Sequence, residues 1–244
     1  MKYKLFEVGG KIRDEILGLQ SKDIDYAVVV EESMMKNDAE IVFDEFARQL
    51  ESEGFDIFLE TVECFTVRAM FPKDHIHSGV ADFVLARKEL GYIPNTRTPE
   101  VVLGTLRDDL ERRDFTLNTL ARDEEGNLID LFDGQKDLMN GILKTPLDAV
   151  VSFNNDPLRI IRALRFMVTK GFSVSDSIIE TIQTFEVSRM SVVSDDRIRQ
   201  ELQKMFYFDT KRSMQILYWL NQINPELHLD IFSRDMWLMP TNKK

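Results

Sequence analysis

The spacing of apolar residues changes character once along this 244-residue chain, and that change limits the folds open to it. Up to about Leu131, strand-like runs alternate with helical ones. The strand-like runs are Tyr3 to Val8, Ile24 to Val30, Val80 to Leu85, and Cys64 to Phe71 with Phe65, Val67, Ala69 and Phe71 on one face. From Pro157 onward helical patterns take over, at Leu158 to Val168, Ser177 to Phe185, Asp195 to Phe206 and Lys211 to Leu220. Four strands with helices between them predict an α/β or α+β sheet domain, followed by a helical one, with the boundary near Asp148. Between strands, residues 87–99 read as an exposed loop and Glu100 to Arg112 as a helix. Thr116 to Ala121 and Leu128 to Leu131 read as a hairpin around the turn-rich residues 123–127.

Charge divides the chain in the same way. Of 31 basic and 42 acidic side chains, the first 150 residues carry 18 and 31, the remainder 13 and 11. A net charge of −11 argues against a protein that coats nucleic acid by bulk attraction, yet leaves room for an enzyme with a local basic site. Most of the excess sits in residues 31–63, where Ile41, Phe43, Phe46, Ala47 and Leu50 fall near helical spacing: an amphipathic helix with an acidic, solvated face, ending near Gly54. One cysteine, Cys64, forms no internal disulfide, and neither a signal-peptide core nor an apolar run of bilayer length is present, which places the chain in a reducing, cytoplasmic setting away from membranes.

Four segments carry chemistry. Gly9-Gly10-Lys11-Ile12-Arg13-Asp14 joins a strand to a helix, where glycines admit close backbone approach and Arg13 can reach a phosphate; it could equally be a simple turn, and it matches neither dinucleotide nor P-loop patterns. At the head of the apolar strand, Asp23 and Asp25 share a face by alternation, with α-carbons about 7 Å apart, a donor pair suited to Mg²⁺ and hence to phosphoryl or nucleotidyl transfer. Asp82, inside the apolar Val80 to Leu85 run, is either a hydrogen-bonded core aspartate or a third carboxylate of that site. Arg112-Arg113-Asp114-Phe115-Thr116-Leu117-Asn118 holds donors and acceptors fit for phosphates and a ribose, or for a solvated helix end. Finally, Asp156 begins a series in which Arg159, Arg162 and Arg165 recur every three residues, a set able to pair with a base edge or to form a basic surface face.

Together these segments resemble a family. VGGKIRDEILG followed by DID, then DFVLARKELGY, GTLRDDLERRDFTLNTLA, LIDLFDGQKDL, NDPLRIIRALRF and DRIRQEL are similar, in order, to the motifs of class II nucleotidyltransferases of the DNA polymerase β superfamily, which include CCA-adding tRNA nucleotidyltransferases and bacterial poly(A) polymerases. The resemblance implies an α+β fold: a polymerase-β-like palm with a mixed sheet over residues 1–148, then a small all-helical neck over 149–244, body and tail reduced or absent.

The same resemblance implies roles. Gly10 and Arg13 would contact the triphosphate, Asp23 and Asp25 would bind Mg²⁺, and Asp82 would supply a third catalytic carboxylate. Arg113 and Asp114 would meet the ribose and phosphates, while Asp156 and Arg159 would act as a protein template for cytosine or adenine, assisted by Arg162 and Arg165. The implied reaction is attack of a tRNA 3′-hydroxyl on the α-phosphate of CTP or ATP, with CC-only, A-only and poly(A) addition, or nucleotide and RNA binding without catalysis, as alternatives. Asn155 departs from the acid that relatives carry before Asp156. The chain also stops about 40 residues after DRIRQEL, so a second copy, a partner protein or contacts to the acceptor end alone would have to hold the RNA, and IFSRDMWLMPTNKK with Trp237 could cap the neck or receive a partner.

Overall fold

The computed structural model describes residues 2–21, 24–93, 96 and 98–236; Asp23, residues 94, 95 and 97 of the 87–99 segment, and the closing stretch from Trp237 lie outside the described residues. Contacts divide the chain into two compact units, residues 1–91 with 99–135, and residues 92–98 with 136–244. The division falls after Gln135, ahead of the Asp148 position expected from the sequence.

The first unit is built on β1 (Tyr3–Val8), α1 (Gly10–Ile16), β2 (Ile24–Val30), α2 (Ala39–Ser52), β3 (Asp56–Thr61), β4 (Thr66–Met70) and β5 (Val80–Leu85). It continues through β6 (Arg87–Tyr92), β7 (Pro99–Leu103), α3 (Leu106–Glu111), β8 (Ala121–Arg122) and β9 (Leu128–Ile129). Seven of these strands form one sheet in the order β3-β4-β5-β2-β1-β8-β9, mixed because β2 and β5 run parallel while their other neighbours are antiparallel. Asp38 starts α2 by accepting from the amides of Glu40 and Ile41, and Val42, Phe43, Phe46, Ala47 and Leu50 then pack on one sheet face against Tyr26, Val28, Val67, Phe83 and Leu85. The acidic side of α2 is left to solvent, and Val42 takes the buried place expected of Ile41, which is exposed. A smaller cluster of Val8, Ala27, Leu110 and Ala121 covers part of the opposite face. The rest of that face carries Asp25 and Asp82.

Two expectations change. Residues 87–99 are not all loop, and Glu100 to Arg112 is not all helix: β6 and β7 pair as a two-stranded ribbon, and the helix begins only after Thr105. Thr105 and Asp108 form a reciprocal capping box there, which fixes the start of α3. The expected hairpin survives as β8 and β9, with Thr116–Asn118 a 3₁₀ turn instead of strand.

Helix α4 (Gly134–Asn140) leads into β10 (Ile142–Leu143), α5 (Ala149–Asn155), α6 (Leu158–Thr169), β11 (Ser173–Val174), α7 (Asp176–Gln183), α8 (Asp195–Phe208), α9 (Thr210–Ile223) and α10 (Pro225–Ser233). This second unit is helical, as expected, with one parallel two-residue pair, β10 and β11. Its core gathers the buried stripe of α6, including Ile160, Ile161 and Leu164, with Ile198, Leu202 and Met205 of α8 and Leu217 of α9.

Candidate active site

The turn from β1 into α1 is set by Gly9, whose φ of 81° and ψ of −135° lie where a side chain is strained. A Cβ added at Gly9 would stand 2.9 Å from Nη1 of Arg113 and 3.7 Å from a carboxylate oxygen of Asp25. The guanidinium and the carboxylate therefore close on a bare stretch of backbone. Gly10, the residue expected from sequence, adopts no such φ, and its added Cβ would lie 3.4 Å from Nη2 of Arg13. Gly9→Ala should consequently destabilise the first unit by about 1–3 kcal/mol and displace Arg113, whereas Gly10→Ala should cost clearly less. Urea unfolding of both variants measures the difference, and the reverse order of stability would refute the role given to Gly9.

Asp25 stands second in β2, level with Val8 of β1 on one side and with Asp82 of β5 on the other. Residues level across paired strands share a sheet face, so the two carboxylates lie on the same side, opposite the α2 core. Asp82 is not isolated: Arg68 on β4 donates to both its oxygens at 2.6 Å, a forked pair that balances its charge. Among the described residues no three His, Cys, Asp or Glu side chains are grouped to hold a metal ion. The donor chemistry of Asp25, whose hard carboxylate oxygens lie beside the Gly9 backbone, nonetheless fits a divalent cation.

Arg113 owes its place to a residue that the sequence reading passed over. Asp109 on α3 is fully buried and accepts from Arg113 Nη2 at 2.9 Å and from Arg112 Nη2 at 2.5 Å. Burial alone would raise the Asp109 pKa, but the two guanidiniums and their hydrogen bonds outweigh it and hold the carboxyl below the usual range. Asp109 precedes the two arginines by three and four residues, so helical spacing could have revealed it.

A second network links Arg13 to Asp114. Arg13, itself buried, forks onto both oxygens of Asp14 at 2.9 Å and donates through Nη1 to Oδ1 of Asn118 at 2.6 Å. Asn118 in turn donates through Nδ2 to Asp114 Oδ1 at 2.7 Å, and the Phe115 amide donates to the same oxygen at 2.8 Å. Asn118 thus joins Arg13 to Asp114 although Arg13 and Asn118 stand 105 positions apart in sequence.

In the second unit, Asp156 caps the C-terminal end of α5, and its Oδ1 accepts the Leu158 amide at 3.1 Å as α6 begins. Arg159 is buried and donates through Nη1 to the hydroxyl of Ser152 at 2.7 Å. Arg165 is turned to α8, where it pairs with the buried Glu201 and lies 4.4 Å from the centre of the Phe166 ring. Burial would raise the Glu201 pKa, but Arg165, Arg162 and Lys204 together lower it. Arg162 and Arg165 therefore both act on one carboxylate, a link that no local sequence spacing shows.

Residues 5–144 match the family described as the poly(A) polymerase head domain. Over 225 residues the chain is 33% identical to a tRNA nucleotidyltransferase of Schizosaccharomyces pombe, covering 87% of this chain and 46% of that protein. It is 35% identical over 204 residues to a multifunctional CCA protein of Nitrosomonas eutropha, covering 82% of this chain and 43% of that one. Its fold is similar to that of the Bacillus stearothermophilus CCA-adding enzyme, solved in complex with CTP, with a TM-score of 0.73 at 24% identity over 93% of this chain and 51% of that one. The chain spans about half the length of these relatives. With the family match covering more than half of its residues, the chain belongs to the poly(A) polymerase head-domain family.

Proposed function

We propose that the chain is an Mg²⁺-dependent RNA nucleotidyltransferase that adds CMP and AMP, taken from CTP and ATP, to the 3′ end of tRNA, completing or repairing CCA with release of pyrophosphate. The observation that carries this reading is the approach of Asp25 and Arg113 to the side-chain-free backbone at Gly9. Asp25, with Asp23, would hold Mg²⁺, and Asp82 adds a carboxylate on the same face. Bound there, the ion would neutralise phosphate charge and polarise the phosphoryl oxygens.

The protein's own groups bind and orient. Arg113, fixed by Asp109, offers a guanidinium to the triphosphate at the strand-to-helix turn, while Gly9 and Gly10 let phosphate oxygens approach the main chain. Arg13 and Asp114, tied through Asn118, are held ready for the phosphates and the ribose hydroxyls. Asp156 and Arg159 present an acceptor and donors at the start of α6 and select the base; Arg162 and Arg165 keep that helix in place through Glu201 and so assist the nucleotide. Acceleration then comes from alignment of the RNA 3′-hydroxyl with the α-phosphate and from charge neutralisation, with little covalent chemistry left to the protein.

Incubating the protein with tRNAs that end before C, after one C and after CC, with labelled CTP or ATP and Mg²⁺, tests the reading. Ordered addition that stops at CCA is expected. Long A tracts would assign poly(A) synthesis, a halt after CC or use of ATP alone would assign a specialist, and no incorporation with CTP still bound would assign a binding protein. Arg159→Ala should relax the choice among the four nucleotides by about tenfold or more while weakening triphosphate binding only a few-fold, because the base edge loses its donors and the phosphates keep theirs. Unchanged base selection would remove Arg159 from the template. Among the described residues no helix is long and apolar enough to cross a membrane. The cytoplasmic setting proposed here rests on the single free cysteine, Cys64.

A further inference from the structure

We infer that Ser152 is a positioning residue whose hydroxyl aims Arg159 at the nucleobase and thereby sets base selection; the inference rests on the template reading of Arg159 above.

The frame around this pair is continuous. Asp148 starts α5 by accepting from the amides of Val150 and Val151 at 2.9 and 3.3 Å, and the Ser152 amide donates to the Asp148 carbonyl at 2.9 Å. One turn later the Asp156 amide donates to the Ser152 carbonyl at 3.1 Å, and the Asp156 carboxylate in turn accepts the Leu158 amide at the start of α6. Ser152 is thus locked by its main chain between the cap of α5 and the acid proposed to read the base. From this locked position its hydroxyl accepts a 2.7 Å hydrogen bond from Arg159 Nη1. Ser152 is wholly buried and Arg159 is 7% exposed.

An arginine side chain has several rotatable bonds, but its guanidinium is one rigid plane. Pinning one Nη therefore fixes the direction of the remaining N–H groups, which is what reading a base edge requires. A hydroxyl does this without a charge of its own, so it orients the guanidinium without neutralising it. Hydrogen-bond selection between bases is sensitive to displacements of about half an ångström, so a loosened Arg159 should lose discrimination before it loses affinity.

The test compares the wild-type chain with Ser152→Ala, Ser152→Thr, Arg159→Ala and the Ser152→Ala/Arg159→Ala double variant, measuring kcat/KM for CTP, ATP, UTP and GTP on tRNA lacking its CCA end. Ser152→Ala should reduce the preference for CTP over UTP by about tenfold, chiefly through faster use of the wrong nucleotide. Ser152→Thr, which keeps the hydroxyl, should preserve the preference, and Ser152→Ala should add nothing in the Arg159→Ala background. A purely structural serine would slow all four nucleotides alike and would lower them again in the Arg159→Ala background; that pattern overturns the proposal. If the wild type adds nothing to any RNA, the nucleotidyltransferase reading fails instead. Calorimetric binding of CTP and UTP then still decides the role of Ser152: an affinity ratio that Ser152→Ala leaves unchanged refutes it, and a collapsed ratio upholds it.

Discussion

Asp25→Asn is expected to lower nucleotide incorporation by about 10³-fold or more while the protein remains folded, a loss of roughly 4 kcal/mol of transition-state stabilisation. The substitution keeps the size and shape of the side chain and removes only its charge. Asp25 sits near the start of β2, whose ladders to β1 and β5 are made by main-chain groups and run on to Val30 and Leu85, so the strand does not depend on this carboxylate. The proposed chemistry does, because a neutral amide beside Gly9 is a poor ligand for a hard dication. Asp82→Asn should cost less, since Asp82 already has its charge balanced by Arg68. Incorporation of labelled CMP, read beside urea unfolding curves, measures both effects. A wild-type rate in Asp25→Asn would remove Asp25 from the metal site, and a larger loss at Asp82 would shift the centre of the site to β5.

Much of the fold follows from local pattern, and the departures have physical causes. Ile24 to Val30 is an almost unbroken apolar run, and it becomes a strand buried within the sheet. In α2 the apolar spacing survives an acidic composition because Asp38 caps the helix and the charges face outward. Residues 100–112 mislead because Val101, Val102, Leu106 and Leu110 suit a helix, yet Pro99 and Gly104 bracket a strand whose partner, β6, is reached only through the intervening loop. Gly104 shows how close that approach is: a Cβ there would meet the main chain at Arg87 and Lys88 at 2.7 to 2.8 Å. The site divides in the same manner. Asp109 with Arg112 and Arg113 is legible from helical spacing, as is the arginine series of α6. Asn118 between Arg13 and Asp114, Arg68 on Asp82, and Glu201 on Arg165 are products of tertiary packing, and no periodicity predicts which charges meet.

The largest effect on stability is expected at Asp109. Its carboxylate is fully buried, and its two oxygens hold Arg112 and Arg113, whose side chains are each only 18% exposed. Asp109→Asn keeps the volume but presents an NH₂ group to a guanidinium that needs an acceptor, and it removes the buried negative charge that Arg112 and Arg113 share. Breaking such a buried pair by removing one partner costs about 3–5 kcal/mol, far more than deleting a surface pair. The Asp109 pKa is lower in the folded protein than in the unfolded chain, so its stabilisation is complete above the ordinary carboxylate value near pH 4 and is lost as pH falls through the folded value. Urea unfolding at pH 7 should show the full loss in Asp109→Asn. Below about pH 4 the gap between variant and wild type should narrow as the pH falls toward the folded value, because the wild-type carboxylate then takes up its proton. A gap that stays constant down to the lowest pH would show that the loss comes from packing rather than charge. Activity should fall together with stability but for a separate reason: an unanchored Arg113 no longer holds its guanidinium over Gly9, so CTP binding should weaken even at pH 7 and in dilute solution where Asp109→Asn is still folded.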